Sequence, residues 1–497
     1  MTDARRGRPA AAESTGSGGR GATGAPGPAE DSGAVAAGSP AEGSGANAAR
    51  DPAEAASTRD RAWASPRDRR SADPLPLVLH LVTDLRLGGT QAILLERVRR
   101  PGPFRHAVLC FSARTGRRRA AGTADLVAAF GNLGVPVLRL GIRTPEEAVV
   151  AALTGRLARR IDEVLTVTQP AILHSTLFHV HLLGDWMARR AGVPHLASKE
   201  GTDDWMGPFQ RRLESRALRR ATRVAVVSQA TARVVRLLGV EESHIEVIPN
   251  GIDPSRPGAW VVPAPAPAGR NAATADSPDR IATPSAGPHL LGAGRLDPVK
   301  GWDDLLDAMA LLQASHPEIH LDILGSGTET QRDHLCERAA SRGLTGRVRI
   351  REGVSSLLEP VTEENAAVGG TARHAIPSER GPWPRPILVV PSREEGFGLV
   401  LLEGMARGLP IVATRAGGIP EVARHDIEAL LVPPRDPPAL AEAIARMHAD
   451  PVLATRLAQA GRTRVNAFPV ADMVDAYHRL YAEMLDRSHA PRSGARA

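Results

Sequence analysis

Lysine is almost absent from this chain of 497 residues: of 62 basic residues only Lys199 and Lys300 are lysine, and all the others are arginine. A GC-rich coding sequence produces such a bias, so the net charge of +7 identifies no acidic partner by itself. Cysteine is equally scarce. Cys110 and Cys336 are the only two, too few for a disulfide framework or a cysteine-built metal site. Phe, Trp and Tyr number 7, 6 and 2, which leaves few stacking platforms and argues against single-stranded nucleic acid as a partner. No apolar run approaches the roughly 18 residues of a membrane-spanning helix. The first residues carry arginines but no apolar signal core. Together these absences predict a soluble, cytoplasmic protein that binds no nucleic acid.

Hydrophobic residues make up 42% of the chain, enough for a sizeable core. The length corresponds to two to four domains of about 100–200 residues each. Residues 1–74 hold no Leu, Ile or Phe and cannot bury enough apolar surface to offset ordering, so they are expected to be a disordered tail. From Leu75 onward short apolar runs alternate with helical periodicity. Strands are expected at Leu77–Val82, His106–Phe111, Val135–Leu138, Ala171–His174, His195–Ser198 and Arg223–Ser228. Helices are expected between them, at Leu126–Leu133, Glu146–Leu165, Phe178–Arg190 and Arg211–Arg220. Residues 255–288, rich in Pro, Ala and Gly, read as a linker with a disordered insert. The alternation resumes over 289–468, broken by a second insert at about 359–386. A last helix, Ala471–Asp486, carries Met473, Tyr477, Leu480 and Met484 at helical spacing, and 487–497 is a tail. This pattern predicts an α/β protein: a doubly wound parallel-sheet domain over 75–254, a second one over 289–468, and a ligand cleft at the carboxyl ends of their strands.

One segment concentrates chemistry. Pro391-Ser392-Arg393-Glu394-Glu395-Gly396-Phe397-Gly398-Leu399-Val400-Leu401-Leu402-Glu403 runs from a strand end through a loop into a helix. Glu395 falls in the loop and Glu403 about one turn inside the helix, so both can face one pocket. Gly396 and Gly398 permit close backbone approach to a ligand, and the free N–H groups of the helix start suit a phosphate. On spacing alone the alternative stays open that Glu395 is a helix cap and Glu403 a surface charge.

The segment resembles the E-x7-E signature of family 4 retaining glycosyltransferases of the GT-B fold, which is two Rossmann-like domains facing across a cleft. The resemblance implies that Glu395 lies by the donor sugar and that Glu403 holds the ribose hydroxyls of a nucleoside-diphosphate sugar. Gly417-Gly418-Ile419-Pro420-Glu421-Val422 is similar to the family's next turn, which holds the sugar nucleotide. Gly292-Ala293-Gly294-Arg295-Leu296-Asp297-Pro298-Val299-Lys300-Gly301 resembles its G-R-L-x-x-x-K-G stretch. There Arg295 and Lys300 would neutralise the diphosphate as the glycosidic bond breaks, because fixed cations in a dry cleft stabilise developing charge. The implied catalytic set is Arg295, Lys300 and Glu395. Gly88, Gly89, Gly396, Phe397, Gly398, Leu399, Glu403, Gly417 and Gly418 complete the donor site. Val247-Ile248-Pro249-Asn250-Gly251 is similar to the hinge entry, and the last helix is expected to cross back to the first domain, as in this fold.

The first half matches more loosely. His80-Leu81-Val82-Thr83 with Gly88-Gly89-Thr90 resembles the Gly-rich loop that approaches the donor phosphates. Candidate acceptor-side residues are His174, Thr176, Lys199 and Glu200. Relatives carry a second histidine where Thr176 stands. Near the end of the second domain, Asp426-Ile427-Glu428-Ala429-Leu430-Leu431-Val432-Pro433-Pro434 lacks both glycines of the family's G-x-x-G-L-L-V-P-P, which bears on donor preference and activity. The second insert takes the place of a helix that borders the nucleotide base. Asp203-Asp204 and Asp303-Asp304 read as loop and helix-start carboxylates, because arginine and lysine neutralise phosphate in such enzymes. No metal and no cofactor are expected.

The expectation is a hexosyltransferase-class enzyme that moves sugar from a nucleoside-diphosphate sugar to a carbohydrate, lipid-linked or small-molecule acceptor. The basic stretch Arg211–Arg220 reads as a solvated face, or as a peripheral contact with the inner face of the membrane. A sugar-nucleotide epimerase or phosphorylase of the same fold, or a non-catalytic sugar-nucleotide binder, is the alternative.

Overall fold

Apolar runs of four to six residues, flanked by glycine and helix-forming stretches, bury both faces when they lie side by side under helices, and so pair as parallel strands. The computed structural model describes residues 75–85, 88–112, 126–142, 154–202, 206–254, 289–351 and 386–489. The expected N-terminal tail, the linker insert 255–288, the second insert apart from Pro386, and residues 490–497 lie outside the described residues.

The first half runs β1 (Leu77–Val82), α1 (Gly89–Arg99), β2 (Arg105–Ser112), α2 (Leu126–Asn132), β3 (Val137–Ile142), α3 (Arg156–Thr168), β4 (Ile172–Thr176), α4 (Phe178–Ala191), β5 (His195–Lys199), α5 (Pro208–Leu218), β6 (Arg223–Val226), α6 (Gln229–Leu237) and β7 (Ile245–Val247). Its parallel seven-stranded sheet has the order β3-β2-β1-β4-β5-β6-β7. The second half runs β8 (His289–Ala293), α7 (Trp302–Leu311), β9 (His320–Leu324), α8 (Glu329–Ser341), β10 (Val348–Arg351), β11 (Ile387–Val390), α9 (Leu399–Arg407), β12 (Ile411–Thr414), α10 (Ile419–Val422), β13 (Leu430–Val432), α11 (Pro437–Ala449), α12 (Pro451–Arg464) and α13 (Val470–His489). Its parallel six-stranded sheet has the order β10-β9-β8-β11-β12-β13.

Most of the expected strands and helices are present. The helix expected over Glu146–Leu165 is described from Arg156 to Thr168. Helix α5 begins three residues earlier than its arginines suggest, because Pro208 sits at the first helical position, where a missing N–H costs nothing.

Alternate residues of the second sheet feed two cores. Leu290, Ile323, Ile387 and Val389 pack with α7 and α11 on one face. Leu291, Leu388 and Val390 pack with α9 on the other. Helix α13 crosses back over the first sheet, burying Met473, Tyr477, Leu480, Tyr481 and Met484 against Val78, Ile172 and Leu196. Where the chain passes between the sheets, the Ile252 N–H donates to Phe468 O (3.0 Å) and the Val470 N–H to Ile252 O (3.0 Å), which ties the two crossings together. In each sheet the strand order reverses at one place, between β1 and β4 and between β8 and β11. Crevices at the carboxyl ends of such strands are where ligands bind in open α/β sheets.

Candidate active site between the two sheets

The two loops leaving the second reversal point carry the expected donor residues, and they are bound to each other. The N–H of Arg393, just beyond β11, donates to Val299 O (2.8 Å) in the turn beyond β8. The Arg393 guanidinium grips both oxygens of Asp304 in α7 (2.8 and 2.6 Å), and Trp302 Nε1 donates to Arg295 O (2.7 Å). On this frame Lys300 Nζ lies 2.7 Å from Glu395 Oε2, which also accepts from Ser392 Oγ (3.1 Å). Lys300 and Glu395, 95 residues apart in the chain, thus form a partly buried ion pair with side-chain exposures of 21% and 13%. Arg295 is more open; its guanidinium is 63% exposed and contacts Asp297 (3.0 Å).

The loop after Glu395 is stacked between two backbones. A Cβ on Gly396 would lie 1.8 Å from Glu200 O of the first half, and one on Gly417 1.8 Å from Glu395 O, so neither position admits another residue. The Gly418 N–H donates to Glu395 O (3.0 Å). Gly417 and Gly418 therefore lie against the backbone of the donor loop. Phe397 is buried edge-on against Phe468, and Gly398 opens α9 in a left-handed conformation. Leu399 meets the first half at Gly89, where an added Cβ would be 3.3 Å from its Cδ1. Gly88 caps α1, so the Gly-rich loop of the first sheet does face the start of α9. Glu403 is half-buried in α9. Burial lowers the nearby Arg407 to about 10, and the charge of Glu403 opposes that shift.

The acceptor-side candidates separate. His174 is fully buried, its Nδ1 2.6 Å from Tyr481 OH and its Nε2 2.7 Å from Ser198 Oγ; both nitrogens are engaged inside the core, not in the cleft. Lys199 is equally buried and pairs with Glu214 of α5 (2.8 Å), which makes it a core ion pair. Thr176 ends β4 at the first reversal point, and Leu177 after it holds φ 81° and ψ 154°, a strained conformation of the kind that gathers at functional sites. Glu200 follows β5 next to Gly396. Burial pushes its carboxyl up, while Arg97 and a hydrogen bond with Asn250 pull it down, and its Oε1 has no hydrogen-bond partner among the described residues. Of the carboxylate pairs, Asp203-Asp204 lies outside the described residues. Asp303 is held by His334 and Arg338, and Asp304 by Arg393.

Comparison with known proteins bears directly on this arrangement. Residues 87–256 match the family described as Glycosyltransferase Family 4, and residues 275–362 and 386–450 match glycosyl transferases group 1. The D-inositol 3-phosphate glycosyltransferase of Salinispora tropica is 28% identical over 456 residues, covering 85% of this chain and 87% of that protein. The chain belongs to the family 4 glycosyltransferases. Among solved structures, Anabaena HepE in complex with UDP and glucose superposes with a TM-score of 0.62 at 18% identity, over 82% of this chain and all of that one. Sucrose-phosphate synthase from Thermosynechococcus elongatus gives 0.60 at 19% identity, over 83% of this chain and all of that one. The two parallel sheets are thus a GT-B fold, and this glycosyltransferase transfers sugar from a nucleotide sugar.

Three features of the glycosyltransferase escaped its sequence. Glu421 reaches across to the first domain and accepts from the Gln229 and Ala230 N–H groups (2.7 and 2.8 Å). Ser228 Oγ donates to Gly396 O (2.7 Å). Arg97 lies buried with its guanidinium 3.6 Å from the centre of the Tyr477 ring. In the glycine-poor loop Asp426 itself takes φ 58°, a left-handed conformation that Asp adopts more readily than most residues. No helix among the described residues is long and apolar enough to cross a membrane.

Proposed function

We propose that this glycosyltransferase works with retention of configuration on a nucleoside-diphosphate sugar, with a hydroxyl of a carbohydrate, lipid-linked or small-molecule acceptor as the nucleophile. The observation that carries the reading is the Lys300–Glu395 pair at the second reversal point, on a loop pressed against the first domain. In this reading Lys300 and Arg295 hold the diphosphate, Glu395 orients the sugar and Glu403 the ribose. The bond from C1 to the diphosphate oxygen breaks as the bond from C1 to the acceptor oxygen forms on the same face. The acceptor proton goes to the departing diphosphate, so no protein nucleophile is required. Two side-chain cations supply the charge neutralisation, and activity is expected to persist in EDTA.

A thermal-shift screen of sugar nucleotides, followed by assays of diphosphate release with EDTA present, tests this. Glu403→Ala is expected to weaken binding of the best donor by about 10- to 100-fold, the worth of hydrogen bonds to a charged group. Unchanged binding removes Glu403 from the site. A donor converted without acceptor and without net diphosphate release points to an epimerase, and binding without turnover to a non-catalytic binder.

Contact with an anionic lipid surface, on a cytoplasmic enzyme, is the finer reading of its location. In α5 Glu214 is buried against Lys199, and Arg211, Arg212 and Arg216 are exposed on the helix that carries Phe209, itself 73% exposed. A cationic helix face with an exposed aromatic suits such an interface. Salt-sensitive flotation with anionic liposomes supports the contact; no flotation at low salt removes it.

A further inference from the structure

The first turn of α6 is satisfied almost wholly from outside its own helix. An α-helix begins with N–H groups that have no partner within the helix. Here the Thr231 N–H donates to the capping Ser228 Oγ (3.0 Å), whereas the Gln229 and Ala230 N–H groups donate to the two carboxylate oxygens of Glu421, 2.7 and 2.8 Å away in the other domain. A carboxylate is the group that the positive end of a helix dipole favours. Beside it, Ser228 Oγ donates to Gly396 O (2.7 Å). Glu421 is itself held from behind, since Arg464 donates to Glu421 O (2.9 Å) and Val422 O (3.1 Å). Three residues before Glu421, the Gly418 N–H binds Glu395 O (3.0 Å). One continuous set of hydrogen bonds thus runs from the start of α6 through Glu421 and α10 to the peptide of Glu395, whose side chain meets Lys300.

We infer that Glu421 is a positioning residue that latches the first domain onto the donor loop and sets Glu395 in register with the opposite wall of the cleft. The latch bears on catalysis through the donor-site reading above; its effect on the approach of the two domains does not depend on that reading. Glu421 touches no reacting atom. Its loss is expected to open the cleft and slow turnover, while the nucleotide contacts of the second domain stay in place.

Two variants attack the latch from opposite sides. Glu421→Gln removes the charge and turns an amide N–H toward a backbone N–H. Gln229→Pro deletes one donor from the first domain; proline is tolerated at the first helical position, and Ser228 before it already has the extended conformation that proline requires (φ −160°, ψ 163°). The distance between domains is read by energy transfer between dyes on Cys336, which is exposed, and on a cysteine placed at Leu237, which is 88% exposed. Kinetics use UDP-glucose, and binding uses UDP. Each variant is expected to shift transfer efficiency toward greater separation and to lower kcat about five- to tenfold, with UDP affinity within about twofold. The double variant is expected to be no worse than either single one, as for residues sharing one contact. Unchanged energy transfer overturns the latch, as do effects that multiply in the double variant. If Glu421→Gln does not fold, Gln229→Pro decides alone. If the unmodified enzyme turns over no sugar nucleotide, the donor-site reading fails and the energy-transfer result still decides the latch.

Discussion

The two lysines of the chain stand in opposite settings. Lys300 lies at the cleft against Glu395, whereas Lys199 is 1% exposed and paired with Glu214, 2% exposed. Removing one partner of a buried pair strands a charge in a poorly solvating interior; removing both does not. Lys199→Met is therefore expected to destabilise the protein by about 3–5 kcal/mol, and Lys199→Met with Glu214→Leu to recover most of that loss. Urea denaturation of the two variants checks it, and an unaltered midpoint for Lys199→Met contradicts the placement. The rarity of lysine draws attention to both positions in the sequence, but cannot tell their roles apart. Lys199 pairs with a residue 15 positions on, in a helix whose packed face becomes visible only once α5 docks on the sheet. The place of Lys300 beside Glu395 was easier to read, because each lies in a local motif.

At the scale of elements, α13 is held by an unusual polar layer. His80, His106 and His174 of the first sheet lie beneath Arg97 of α1 and Tyr477, His478 and Tyr481 of α13, with Ser198 between them. Asp475 and Glu200 are the acidic groups that act on this layer. Burial keeps the histidines neutral: His106 is lowered to about 4, and His80 and His174 fall well below their ordinary value of 6.5. Deeper in the first domain His195 is lowered to about 3, and it bonds Ser175. In the unfolded chain each takes up a proton below about 6.5, but in the fold only at lower pH, near 4 for His106 and near 3 for His195, so stability is lost as pH falls through that window. At pH 5 the loss is about 2 kcal/mol each for His106 and His195. Thermal melts at pH 8 and pH 5 are expected to show a large drop at the lower value; a flat profile contradicts neutral burial. The helix itself was legible from its apolar spacing, and so was its return to the first domain from the resemblance. The layer was not, because its members are scattered from β1 to the C-terminus. Helix α6 was missed for a related reason: it follows the strand run Val224–Val227 with only Ser228 between, and its first turn is completed by Glu421, 192 residues from Gln229. Helix α12 was missed because a single residue, Asp450, separates it from α11.

For the whole molecule, two parallel sheets, each reversing its strand order once, place their crevices face to face. Gly89, Glu200 and Ser228 of one sheet then meet Leu399 and Gly396 of the other. The alternation of strand and helix made this architecture readable, as did the donor motifs, which lie within single loops. Contacts between the halves depend on how the two sheets approach, which no local pattern records. The central claim is that departure of the diphosphate depends on Lys300 at this junction. Its most direct measurement is diphosphate release at saturating donor by the intact enzyme and by Lys300→Ala. Loss of one preorganised charge at a developing anion is expected to lower kcat about 100- to 1000-fold, with the fold intact by thermal melt. Release by Lys300→Ala at the unmodified rate would contradict the account.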